Sequence, residues 1–144
     1  MIINTEKYVG IPYVFTQGPL EVPTLAIARQ KGANCQALVQ LALRDVGVDL
    51  PPTMMSYEIF HDTNHSRPLE ESSPLHPGDV VVFGKGEDAT KYHLTIYPGS
   101  DERENEPRLL HASYKDKMTT VWPLSRFAEE STKKLLVVKR FTQT

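Results

Sequence analysis

Asn34-Cys35-Gln36-Ala37-Leu38-Val39-Gln40-Leu41-Ala42-Leu43-Arg44-Asp45-Val46-Gly47 carries both the strongest structural signal and the only cysteine of this chain. Asn34 is a good N-cap, because its short side chain accepts from the N–H groups of a first helical turn. Gly47 suits the position just past a helix end, where left-handed backbone is common. A helix over 35–46 follows, with apolar residues from Ala37 to Val46 covering well over half its circumference. A helix that apolar is mostly buried. The molecule is therefore expected to be built around one central helix that begins at a cysteine.

Upstream, residues 4–9 read as a short opening helix with Asn4 or Thr5 as N-cap, ending at Gly10. Ile11-Pro12-Tyr13 is extended, since proline biases the residue before it away from helix. Residues 23–31 have helical composition, with Pro23 near the first turn and Gly32 as the stop. Downstream the pattern changes to strands: 79–83 after a Pro77-Gly78 turn, then 93–97, 108–112, 118–122 and 134–141. The polar stretches 62–74 and 100–107 read as loops. Helices first and consecutive strands afterwards imply an α+β fold, with the N-terminal helices packed on one face of a mainly antiparallel sheet of about five strands. At 144 residues the chain fits a single domain, 1–144.

Composition excludes several classes of function. A net charge of −2 supplies no basic field for nucleic acid or an anionic membrane surface. No run approaches the roughly 18 apolar residues that cross a bilayer, and the N-terminus lacks the basic and apolar regions of a signal peptide. A cytoplasmic location is the expectation, with export by another route left open. No nucleic-acid or membrane partner is expected, and the oligomeric state is not encoded in any pattern here. A single cysteine forms no internal disulfide.

Most lone cysteines are small buried hydrophobes. Cys35 differs by position, because at a helix start the unsatisfied N–H groups and the macrodipole favour the nucleophilic thiolate. The same N–H groups can hold the oxyanion formed when a carbonyl is attacked. A base is needed, and of the five histidines His93 opens one strand and His111 lies inside another. Strands hold side chains rigidly, as a catalytic base requires. His61 and His65 stand four residues apart, the spacing of a helical metal pair. Thr63, Asn64, Ser66 and Pro68 argue against a helix there, so no metal or other cofactor is expected. Residues 84–89 are glycine-rich but lack the spacing and following helix of a phosphate loop.

Five motifs occur in a characteristic order: Gly10-Ile11-Pro12-Tyr13, Asn34-Cys35-Gln36-Ala37-Leu38-Val39, Leu75-His76-Pro77-Gly78-Asp79-Val80, His93-Leu94-Thr95-Ile96-Tyr97 and Leu109-Leu110-His111-Ala112. The series resembles the NlpC/P60 family of cysteine peptidases, a papain-like group. The resemblance implies an NlpC-type catalytic domain with Cys35 as nucleophile, His93 as base and His111 orienting the His93 ring. It places Tyr13 near the oxyanion, and Asn34 and Gln36 beside the substrate.

Asn34 stands where the family has Asp, and Gln36-Ala37 where it has Ser-Gly, so the flanking set differs while the catalytic set is kept. The function implied is a peptidase or amidase working through a thioester on peptide or amide substrates, peptidoglycan stem peptides or a related γ-glutamyl amide. The alternatives are a catalytically silent NlpC-like binding module and an acyltransferase of the same superfamily.

Overall fold

The central helix forms where its caps place it. The computed structural model describes residues 2–16, 18, 20–85, 92–99, 105–130 and 133–143. Its helices are α1 (Leu25–Lys31), α2 (Cys35–Asp45), α3 (Ser56–His61) and α4 (Leu124–Glu130). Its strands are β1 (Ser66–Pro68), β2 (Val80–Gly84), β3 (His93–Ile96), β4 (Arg108–Ser113), β5 (Met118–Pro123) and β6 (Lys134–Phe141). Asn34 Oδ1 accepts from the Ala37 N–H at 2.8 Å, and Gly47 follows the helix with φ +82°. Every residue from Gln36 to Leu43 is buried, the polar Gln36 and Gln40 among them.

The six strands form one sheet in the order β1-β6-β2-β3-β4-β5, with every pairing antiparallel. Strand side chains alternate between faces, and β2 shows the consequence. Val80 and Val82 join the main core with α2, Leu94, Ile96 and Leu110. Val81 and Phe83 join a second cluster with Leu109, Trp122 and Phe127. β2 is therefore buried on both faces, one covered by α2 and the other by Phe127 of α4.

The α+β class and the helix-then-strand order are as expected, and three short elements are additional. β1 lies within the polar 62–74 stretch, pairing Ser66 with Phe141 at the sheet edge. α3 and α4 have six and seven residues, too few for a periodic pattern to stand out. Residues 4–9 form a shorter 3-10 turn, Thr5–Lys7, capped by Asn4. Among the described residues no helix is long and apolar enough to cross a membrane.

Gly32 fixes the approach of the N-terminal segment to α2. With φ +90° it adopts backbone that other residues avoid, and a Cβ there would lie 2.8 Å from the Pro12 carbonyl oxygen. The close crossing lets Ala33 N–H donate to Pro12 O at 2.9 Å. Tyr13 then forms a parallel bridge with Ala33, two residues before Cys35.

Candidate active site

Cys35 is the first residue of α2 and opens into a cleft of about 800 Å³. Tyr13, Asn34, Gln36 and His93 border the same cleft. The sulfur of Cys35 lies 3.5 Å from the hydroxyl of Ser56, the first residue of α3. No sequence signal marked Ser56, which α3 brings to the thiol as its first residue. Lys139 of β6 anchors that helix, its Nζ donating to the carbonyls of Ile59 at 3.1 Å, Phe60 at 2.9 Å and Asp62.

The side chains flanking the cysteine are engaged within the protein. Asn34 uses Oδ1 for the helix cap and donates from Nδ2 to Thr16 Oγ1 at 3.2 Å. Gln36 grips the Leu20 backbone at two points, accepting from its N–H at 2.8 Å and donating to its carbonyl at 3.3 Å. Both amides therefore tie the segment between Tyr13 and α1 to the start of α2.

His111 lies behind His93, outside the cleft lining. Its Nδ1 is 2.9 Å from His93 Nε2, and the residue is 2% exposed. This bond occupies His93 Nε2, and Nδ1 is the other nitrogen of that ring. The second nitrogen of His111, Nε2, is buried without a hydrogen-bond partner among the described residues. Trp122 and Phe127 cross the ring edge to face, at centroid distances of 4.5 and 4.7 Å. Phe127 in turn stacks on Phe83 at 4.8 Å.

These surroundings set the charges. Burial first, and the nearby Arg126 second, push His111 down to about 3. Burial, then His111 and Lys133, hold His93 well below the usual imidazole range. Both rings are neutral near pH 7, so His93 is in its proton-accepting form. Burial, followed by Cys35 and Tyr114, raises the Tyr13 phenol above its ordinary value, so it stays a hydroxyl capable of donating. Cys35 and His93 thus border one cleft, and His93 is bonded to the buried His111.

The remaining sequence candidates have other environments. His65 pairs through Nδ1 with Asp62 at 2.9 Å, and among the described residues no cluster is arranged to hold a metal ion. Of the glycine-rich stretch at 84–89, residues 86–89 lie outside the described residues, as do 100–104 of the acidic loop. The Leu75–Asp79 turn has a structural use. Asp79 accepts from the His76 N–H at 2.7 Å and pairs with both Nε and an amino nitrogen of Arg140, at 2.9 and 2.8 Å.

A model of the NlpC/P60 family matches residues 10–139. The chain belongs to the NlpC/P60 family. Cysteine peptidases and amidases are among the members of this family, which are generally hydrolases. Among solved structures, NlpC1 from Trichomonas vaginalis superposes with a TM-score of 0.63 over 95% of this chain, at 16% identity. That likeness is one of fold, and the chain spans 41% of the length of that protein. No curated protein matches the sequence. Within the NlpC/P60 match lie all six residues singled out above: Tyr13, Asn34, Cys35, Gln36, His93 and His111.

Proposed function

We propose that this NlpC/P60 domain is an amide hydrolase in which Cys35 is the nucleophile and His93 the general base. The observation that carries the reading is the shared cleft of Cys35 and His93, with His93 Nε2 already bonded to His111. Cys35 Sγ attacks the carbonyl carbon, and its proton passes to His93 Nδ1. The oxyanion is held at the start of α2, where the Cys35 and Gln36 N–H groups precede those bonded to Asn34. As the tetrahedral intermediate collapses, the carbon–nitrogen bond breaks and His93 returns the proton to the departing amine. Water then attacks the thioester with His93 again accepting a proton, and the acid leaves as the thiol reforms.

The substrate class we assign is a peptide amide, with peptidoglycan stem peptides or related γ-glutamyl amides as first candidates. Release of amine from muropeptides and γ-glutamyl peptides tests this directly. Turnover by the native chain that disappears in Cys35→Ala is the expected result. Equal release by both proteins would overturn it, as would a Cys35 that reacts with iodoacetamide no faster than a free thiol of pKa about 8.5. Recovery of an amide or ester product instead of a free acid, when a second amine or alcohol is supplied, would reassign the protein as an acyltransferase.

A further inference from the structure

Ser56 stands beside the thiol without a part in the steps given above. Its hydroxyl oxygen lies 3.5 Å from Cys35 Sγ, and either atom can donate while Cys35 is a thiol. Once the sulfur is ionised it has no proton to give, so the Ser56 O–H is the donor. A hydrogen bond to the charged form of a group favours that form, and bonds to ions are the stronger ones. The contact therefore strengthens as the thiol becomes a thiolate.

The hydroxyl is held in place by more than its own short helix. Met55, the residue before it, donates its N–H to Glu58 at 3.2 Å. Lys139 Nζ fixes the carbonyls of Ile59 and Phe60, and Phe60 stacks on Tyr92 at 4.5 Å and 22°. Tyr92 directly precedes His93. α3 is thereby tied both to β6 and to the residue before the base, and its first side chain meets the sulfur without rearrangement. A donor already aimed at the place where charge develops costs nothing to orient. His93 does not take over this task, because burial above all keeps its ring neutral. A neutral imidazole brings no positive charge to balance a thiolate.

We infer that Ser56 is a positioning residue whose hydroxyl donates to the Cys35 thiolate and so enlarges the share of sulfur that is ready to attack. The inference shares with the hydrolase reading the choice of Cys35 as nucleophile, but it concerns the sulfur itself and is measured without a substrate. Iodoacetamide is the probe: the thiolate displaces iodide and becomes a thioether. Rates are followed from about pH 6 to about pH 9.5 in the native chain, Ser56→Ala and Ser56→Thr. Tyr13, Tyr57, Tyr92, Tyr114, His93 and Lys133 border the same cleft. All six are present in the three proteins, so their own titrations are common to every profile.

Loss of the bond is expected to cut the thiolate fraction on the order of tenfold. The released sulfur is intrinsically more nucleophilic, with a Brønsted slope of about 0.4–0.5. Ser56→Ala is therefore expected to react about threefold more slowly than the native chain near pH 7. Near pH 9.5, above the ordinary thiol value of about 8.5, the order is expected to reverse. Ser56→Thr keeps the hydroxyl and is expected to follow the native profile. A purely steric Ser56 would give a different pattern, since removing its oxygen opens the site and raises the rate at every pH. That result would overturn the inference, as would coincident profiles or a Ser56→Ala slower by one factor throughout. Unchanged alkylation with weakened muropeptide binding would make Ser56 a substrate contact and overturn it too. The expected crossing of profiles, with no amide turnover by the native chain, would retain the inference and reject the hydrolase reading. Coincident profiles with turnover lost in Cys35→Ala would do the reverse.

Discussion

In the proposed mechanism, His111 decides which nitrogen of His93 acts as the base. Only one proton is shared along the His93 Nε2 to His111 Nδ1 bond, and its owner sets both tautomers. If His111 donates, His93 carries its own proton on Nδ1 and presents an N–H to the cleft, which is useless for accepting from a thiol. If His93 donates, its Nδ1 is a free base and His111 carries its proton on the buried Nε2. The second arrangement is favoured because that nitrogen lies among aromatic rings without a partner. An N–H is attracted weakly to a π face, whereas a lone pair gains nothing there. Nitrogen-15 NMR of the resting protein is expected to find both rings protonated at Nε2; a proton on His111 Nδ1 would reject the assignment. His111→Leu removes the acceptor while keeping bulk, so the His93 ring loses its orientation. In an amide-hydrolysis assay kcat is expected to fall on the order of 10²-fold, the loss typical of a misplaced reacting group.

At the scale of elements, the start of α2 is both a cap and an anchor. Asn34→Ala removes the bond to the Ala37 N–H and the tie to Thr16, so a loss of about 1 kcal/mol in urea unfolding is expected. α2 and strands β2 to β6 were legible in the sequence because each repeats a pattern long enough to recognise or follows a strong turn. Cys35 and His93 were legible for the same reason, as residues at the beginnings of such elements. α3, β1 and α4 were not, because distant partners hold them. Lys139 bonds to Ile59 across 80 positions, β1 exists through its pairing with β6, and Ser125 at the start of α4 donates to Glu106. The aromatic surround of His111 and the Ser56 wall of the cleft depend on these elements, so they were hidden too. Lys139→Met tests the dependence. It strips three carbonyls of their donor in a site where the lysine is 3% exposed, and a cost of about 1–3 kcal/mol is expected from thermal or urea unfolding.

Over the whole molecule, the sheet separates two apolar clusters, and His111 is packed against the smaller one. His111 touches Trp122 and Phe127, which belong to the cluster behind β2 and β4. Stability and the neutral state of the two histidines are thereby linked. An unfolded imidazole titrates near 6.5, whereas His111 in the folded chain is pushed down to about 3 and His93 is lowered in the same direction. Between those values the unfolded chain binds protons that the folded chain refuses. Stability therefore falls as pH drops from about 6.5 toward about 3. Each such group contributes a slope of up to about 1.4 kcal/mol per pH unit. Asp62 works at lower pH: burial opposes its ionisation, but hydrogen bonds from His65 and Ser66 outweigh that and hold its carboxyl below the ordinary value of 3.8. The interval from about pH 6.5 to about pH 5 is therefore the one in which the histidines dominate. Urea unfolding at several pH values in that interval is expected to show falling stability for the native chain. His111→Leu should show a slope smaller by about one proton, whatever its stability near pH 7. Parallel slopes for the two proteins would mean that His111 is protonated in the folded state, and with it the neutral His93–His111 pair would be rejected.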